Sequence, residues 1–324
     1  MKLGLVGEAA NPISMAMLRA ALDAPGVEVA WFADAVISPR LRTRLYGPSF
    51  DEGPWMRAIQ RFRGLRGGRG PDCPGVCAAE GIPYLRPEGF SLERGLPARC
   101  YEHPEAEFVL LAGCDQLLKE NALRLARRRV INYHYSPLPA YRGKFALFWQ
   151  WYNREPRLGF SFHEVDLGVD TGGTIHQEYV DYDPDAPLAA AADRVIRASA
   201  TGLPRMLELA AQGGSLLIEP TPPESYYPSS RYRDLVTVTP DRSRDEVLAV
   251  FGRTGFLLLP NGFRIRHVAD SGRETAESLR VEGRGIVVPL RDGWILASPT
   301  ARLPFRLYRG LVGAGRLVTG PPGL

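Results

Sequence analysis

Lysine is nearly missing from this sequence. Of 40 basic residues only Lys2, Lys119 and Lys144 are lysine, and arginine supplies the rest. A bias that general is read as genome composition rather than chemistry, and a net charge of +4 names no partner by itself. Cysteine is scarce too. Cys73, Cys77, Cys100 and Cys114 are too few for a disulfide framework, and the close pair is badly spaced for zinc. All four are therefore read as free thiols, with no metal expected. No apolar run approaches the roughly 20 residues a membrane helix needs, which excludes an integral membrane protein. The apolar start, Met1 to Gly7, is too short for a signal peptide, so a cytoplasmic location with no membrane partner is expected. Apolar residues are not lacking: 45% hydrophobic against 23% charged excludes a disordered chain. No internal repeat is visible. At 324 residues the chain is too long for one ordinary domain and suits two.

Leu3–Val6 reads as a short buried strand, Pro12–Leu22 as a helix and Val27–Ala33 as a second strand. Residues 77–85 look like a helix end, a glycine stop and a third strand. Phe108–Gly113 is a fourth strand, 118–128 a helix and Val130–Tyr135 a fifth strand. Strands alternating with helices imply a parallel sheet covered on both faces, with ligands beyond the carboxyl ends of its strands. From Phe160 the pattern alternates instead, over 160–165 and 174–179, which predicts two adjacent strands joined by a turn. A long helix from Leu188 to Gln212 closes this first domain, set at 1–215. Residues 216–233, proline-rich over 219–230, read as a linker. The remaining 234–324 read as a smaller, mostly β, barrel-like domain. Ser243 and Glu246 form a capping box there, and Asn261-Gly262 and Asp292-Gly293 predict two hairpins.

The chemistry concentrates in Ile131-Asn132-Tyr133-His134-Tyr135-Ser136-Pro137-Leu138-Pro139-Ala140-Tyr141-Arg142-Gly143. Asn132 and His134 lie two apart at the end of a strand and so share a face. An amide donor and an imidazole then converge where such sheets bind ligands. A second segment, Val165-Asp166-Leu167-Gly168-Val169-Asp170-Thr171-Gly172-Gly173, sets an acid in a glycine-rich turn, from which a carboxylate could reach His134. Taken singly, Asn132 could merely cap a strand end, His134 could be a satisfied core histidine and Asp170 an ordinary turn residue.

Together these motifs resemble the folate-dependent formyltransferase family. Asn-x-His, Ser-x-Leu-Pro-x-Tyr-Arg-Gly and Val-Asp-Thr-Gly carry the resemblance, supported by Gly113-Cys114-Asp115-Gln116-Leu117-Leu118 and Glu80-Gly81-Ile82-Pro83. It covers most of 1–215, and the C-terminal region looks like the small β-barrel of two-domain members. The resemblance implies a Rossmann-like catalytic domain and an enzyme that moves a formyl group from 10-formyltetrahydrofolate to an amine, with no metal. Asn132, His134 and Asp170 would be catalytic. Gln116, Leu117, Leu118, Val169, Thr171 and Gly172 would hold the folate, and Ser136, Tyr141, Arg142 and Lys144 the acceptor.

The acceptor is less determined. Lys144-Phe145-Ala146-Leu147-Phe148-Trp149 follows the motif where many members have a small or apolar residue and then a proline, and Ser136-Pro137-Leu138-Pro139 replaces the usual Ser-Leu-Leu-Pro of the tRNA enzymes. Both favour a small-molecule amine, such as an amino sugar nucleotide or a modified amino acid, one whose anion Lys144 could meet. Methionyl-tRNA is the alternative, because residues 38–74 hold eight arginines against three acidic residues and tRNA binding uses such charge. A formyltetrahydrofolate hydrolase, with water in place of the amine, is a third reading, and a homodimer remains open. His163 and His176 are expected in core or surface roles. Gly4 and Gly7 lack dinucleotide-loop spacing.

Overall fold

The structure is a computed structural model. It describes residues 1–9, 11–35, 72–85, 105–114, 120–260, 264–274, 276, 279–282 and 285–299. The chain divides into two compact units between Tyr227 and Pro228.

In the first unit the short apolar segments become β1 (Lys2–Gly7), β2 (Glu28–Asp34), β3 (Tyr84–Leu85), β4 (Phe108–Leu111) and β5 (Arg129–His134). They pair in parallel in the order β3-β2-β1-β4-β5. The two alternating segments become β7 (Arg157–Glu164) and β8 (Thr174–Asp181), which continue the sheet antiparallel after β5. The fold is thus α/β with a mostly parallel, Rossmann-like sheet. Leu3, Leu5, Phe32, Phe108, Leu110, Phe160 and Phe162 are buried in its core.

Helix α1 (Pro12–Asp23) begins where the side chain of Asn11 accepts from the Ile13 N–H and Pro12 pre-sets the first turn. Helix α2 (Cys73–Ala79) precedes β3, and α3 (Ala146–Tyr152) precedes β7. The long helix α4 (Leu188–Gln212) lies against α1, β7 and β8. Its buried residues Ala192, Val195, Ile196, Ser199, Leu203, Met206 and Ala210 recur at helical spacing. The helix expected over 118–128 is, where described, a 3-10 helix over Glu120–Leu125. The local pattern is overridden by the sheet: the Arg127 and Arg128 N–H groups bond to the Ala106 and Glu107 carbonyls as the chain turns into β5.

In the second unit α5 (Ser229–Val236) and α6 (Arg244–Thr254) lead into a five-stranded antiparallel sheet. Its order is β10 (Leu257–Leu258), β11 (Arg264–Gly272), β14 (Gly293–Pro299), β13 (Gly285–Leu290) and β12 (Arg280–Glu282). The Ser243 hydroxyl caps α6 by accepting from the Glu246 N–H at 3.2 Å. The second hairpin forms with Leu290 opposite Gly293, so its turn residues are Arg291-Asp292 and the glycine begins the returning strand. A Cβ at Gly293 would lie 2.2 Å from the Gly272 carbonyl, which is why that position tolerates no side chain. The Asn261-Gly262 hairpin turn and nearly all of the arginine-rich segment lie outside the described residues. No helix among the described residues is long and apolar enough to cross a membrane.

Candidate active site

Strand β5 ends with Asn132 and His134 on one face. Its neighbour β7 runs antiparallel with His163 directly opposite Asn132, so a second imidazole joins that face. The turn 165–173 between β7 and β8 folds back and brings Asp170 to the same point. One carboxylate oxygen of Asp170 lies 3.7 Å from Nδ1 of His134, and the other 3.7 Å from Nε2 of His163. Asn132, His134 and Asp170 are thus brought together, and His163 completes the cluster.

Hydrogen bonds fix the state of each ring. His134 points Nε2 at the Tyr141 carbonyl, 3.0 Å away, so that nitrogen carries the proton and Nδ1 faces Asp170. His163 points Nδ1 at the Glu164 carbonyl, 2.8 Å away, so its proton sits there. Nε2 of His163 is then an acceptor and takes one N–H of the Asn132 amide at 3.0 Å. The second N–H of Asn132 is left to point elsewhere. Burial, with repulsion from the nearby His134 adding to it, pushes the His163 imidazole down to about 4; Asp170, the Glu164 carbonyl and Asp166 pull the other way. His163 is therefore neutral, and its role is to orient Asn132. The sequence does not reveal this, because the pairing depends on the register of two strands about 30 residues apart.

That state has a consequence for stability. The folded pKa of His163 is below the ordinary 6.5, so above pH 6.5 both folded and unfolded chains hold it neutral and nothing is lost. As pH falls from about 6.5 to about 4 the unfolded chain takes up a proton that the folded one refuses, which removes about 3 kcal/mol of stability. Denaturant unfolding at pH 7 and pH 4.5 should show this loss in the native chain and a smaller loss in His163→Gln. Equal losses in both would rule out a neutral, amide-bonded His163.

Hydrogen bonds hold both turns that frame the cluster. In 136–143 the Ser136 hydroxyl donates to the Ala140 carbonyl at 2.7 Å, and the Ser161 hydroxyl donates to the Ser136 carbonyl at 2.6 Å. Gln177 donates to the Leu138 carbonyl, and Gln150 to that of Tyr135, each at 2.6 Å. Ser161, Gln150 and Gln177 are buried polar residues whose neighbours only the fold supplies. In 165–173 the Asp166 carboxylate accepts from the Gly168 N–H at 3.0 Å and the Thr171 hydroxyl at 2.7 Å. Asp170 itself has φ +53°, and Tyr141 and Phe145 have φ +58° and +61°. Non-glycine residues in that region cost about 1–3 kcal/mol each and persist where their surroundings hold them.

The other expected residues fall into three groups. Ser136 is fully buried with its hydroxyl bonded inside the turn, and Arg142 is half-buried and ion-paired with Glu224. The Tyr141 hydroxyl donates to Glu155 and accepts from Asn153 at 3.0 Å. Val169 is exposed on the Asp170 turn beside Leu167, Thr171 is bonded to Asp166, and Gly172 packs on the Glu164 carbonyl. Lys144 follows Gly143 and gives its N–H to the Tyr227 carbonyl. Gln116, Leu117 and Leu118 lie outside the described residues. Among the described residues no group of three or more His, Cys, Asp or Glu is placed to hold a metal ion.

Comparison with known proteins points the same way. Residues 97–207 match the sequence profile of the formyl transferase family. The chain is 27% identical over 203 residues to a methionyl-tRNA formyltransferase of Geobacter sulfurreducens, covering 59% of this chain and 62% of that protein. It is 39% identical over 76 residues to a GDP-perosamine N-formyltransferase of Brucella melitensis, covering 24% and 29%. The chain thus spans less than two thirds of the length of these curated relatives. Among solved structures, an N-formyltransferase from Helicobacter canadensis in complex with folinic acid and dTDP-3-aminofucose aligns over 92% of this chain and 99% of its own, with a TM-score of 0.52 at 14% identity. At that identity the likeness speaks for the fold.

Proposed function

We propose that this chain, a relative of the folate-dependent formyltransferases through residues 97–207, transfers a formyl group from 10-formyltetrahydrofolate to the amine of a small molecule. The observation that carries the proposal is the meeting of Asn132, His134 and Asp170 from two distant segments, with His134 Nδ1 at 3.7 Å from the Asp170 carboxylate. The surroundings fit such a cosubstrate: the Asp170 turn exposes apolar Leu167 and Val169 beside the polar cluster.

10-Formyltetrahydrofolate supplies an activated formyl carbon. The acceptor nitrogen bonds to that carbon, the bond from the carbon to the folate nitrogen breaks, and its electron pair leaves with that nitrogen. The second N–H of Asn132 donates to the oxygen that gains negative charge during the attack, and His134, with its resting proton on Nε2, stabilises the same charge once Nδ1 has taken up the proton of the attacking amine. Asp170 holds the imidazolium and relays the proton lost by the amine toward the folate nitrogen.

For the acceptor, an amino sugar nucleotide or a modified amino acid is favoured. The similarity to a GDP-perosamine N-formyltransferase supports this choice. Methionyl-tRNA is the second reading, supported by the similarity to a methionyl-tRNA formyltransferase.

The test incubates the protein with 10-formyltetrahydrofolate and a panel of amino sugar nucleotides, amino acids and methionyl-tRNA, followed by mass spectrometry. Gain of one formyl group by a small amine is expected. Formylation of methionyl-tRNA alone, with steep salt dependence, would replace the acceptor. Formate release without any acceptor would make the protein a hydrolase instead.

A further inference from the structure

The proline-rich stretch after α4 does not run free. Leu216 bonds to both Ile175 and Gln177 of β8, and the Ile218 N–H donates to the side-chain carbonyl of Gln177. The chain then crosses to the Asn-x-His segment. There Tyr226–Tyr227 forms a two-residue strand, β9, parallel to Arg142–Gly143, β6.

The contacts of β9 and its flank fall on successive backbone groups of the 139–144 turn. The Ser225 N–H bonds to the Pro139 carbonyl at 3.2 Å, and the Ser225 hydroxyl accepts from the Tyr141 N–H at 2.8 Å. The Ser225 carbonyl takes the Arg142 N–H and the Tyr227 carbonyl the Lys144 N–H, both at 2.9 Å. The Tyr141 and Tyr227 rings stack at 5.0 Å between centroids. One N–H in the run is left over, that of Gly143, and it goes to the Asp170 carboxylate at 2.8 Å. Gly143 has φ +98°, and a Cβ there would lie 2.5 Å from the Tyr227 carbonyl, so the two strands meet without room for a side chain.

This register has a chemical result. The Tyr141 carbonyl sets the tautomer of His134, and the Gly143 N–H holds the carboxylate that faces it. Both groups belong to a turn that carries Tyr141 at φ +58°, a conformation that persists where its surroundings hold it. We propose that Ser225 is a positioning residue for His134 and Asp170: with the strand it leads into, it clamps the 139–144 turn so that the Tyr141 carbonyl and the Gly143 N–H meet their two partners. Ser225 touches only the backbone of Pro139, Tyr141 and Arg142 in this clamp, so it acts through the turn and not on the substrate. The proposal rests on the formyl-transfer reading for its effect on rate, and not for its geometry.

The experiment compares the full-length native chain with Ser225→Ala and Ser225→Thr. Ser225 is partly exposed, so water can reach the released Tyr141 N–H and global stability should hold in both variants. Imidazole ¹⁵N NMR, with His134→Gln assigning the resonance, should show a single Nε2–H tautomer for His134 in the native chain and in Ser225→Thr. In Ser225→Ala the tautomers should mix. With the amine identified by the mass screen, kcat should fall about tenfold in Ser225→Ala at nearly unchanged KM, and Ser225→Thr should restore it. A native tautomer in Ser225→Ala overturns the proposal whether or not any amine is formylated. So does a rate loss that tracks a fall in melting temperature and is not restored by threonine. If the native chain formylates nothing, the formyl-transfer reading fails, and the NMR comparison still decides the clamp.

Discussion

Replacing His134 with alanine is expected to lower formyl transfer by about 10²–10⁴-fold, the range that a positioned acid–base group contributes. His134 sits between the Tyr141 carbonyl on one ring nitrogen and the Asp170 carboxylate on the other. Alanine removes the charge that stabilises the attacked oxygen and opens the proton route between amine and leaving nitrogen. The fold should survive. The Tyr141 carbonyl keeps the Ser136 hydroxyl within 3.5 Å, and Asp170 keeps the Gly143 N–H, so neither partner is left wholly unsatisfied. A stability loss of about 1–3 kcal/mol is expected for the unmade bond and the small void. Steady-state turnover beside circular dichroism and thermal unfolding checks both halves. Turnover within tenfold of native, in a folded variant, would remove His134 from the chemistry. Asn132→Ala should lose about 10²–10³-fold by the same assay, since one donor to the developing charge disappears while His163 and Asp170 stay.

What the sequence could and could not reveal follows from how far each interaction reaches. The period of two that places Asn132 and His134 on one face is a property of a single strand, and the structure has them there. The helix over Leu188–Gln212 and the antiparallel pair β7–β8 are likewise written in local periodicity. The glycine-rich turn marks Asp170 as a carboxylate that could reach His134, and the resemblance to a known family gives it a catalytic role. The sequence places His163 only as a core or surface residue, since nothing near it says that β7 will set it opposite Asn132. Ser225 was hidden further still: its partner Tyr141 is 84 residues away, and the prolines around it read as a linker. Prolines forbid a regular strand interior, yet they leave single residues free to pair at an edge, and Ser225-Tyr226-Tyr227 uses that freedom. Ser136 and Arg142 show the converse. Their residue types suit substrate binding, but the Ser136 hydroxyl is bonded inside the turn and Arg142 is paired with Glu224, neither of which the local sequence reveals.

Asp170→Asn is expected to lower turnover by about 10²–10³-fold with the fold and melting temperature close to native. The substitution is chosen for its backbone as much as its charge. Asp170 has φ +53°, a conformation that asparagine adopts more readily than other side chains of its size. The side-chain oxygen that accepts the Gly143 N–H is also retained. What is lost is the negative charge 3.7 Å from His134 Nδ1, with the carboxylate 14% and the imidazole 9% exposed. An attraction at that distance is on the order of 4 kcal/mol at an effective dielectric of about 20, and it acts only on the protonated ring. Removing it takes away the carboxylate that faces the imidazole while the proton is in transit. Asp170→Ala should lose turnover to a similar degree but unfold at a lower temperature, because alanine must hold positive φ without a local polar contact. The two variants therefore separate charge from conformation. If Asp170→Asn keeps more than a tenth of native turnover, the carboxylate is a strut for the Gly143 turn and takes no part in moving the proton.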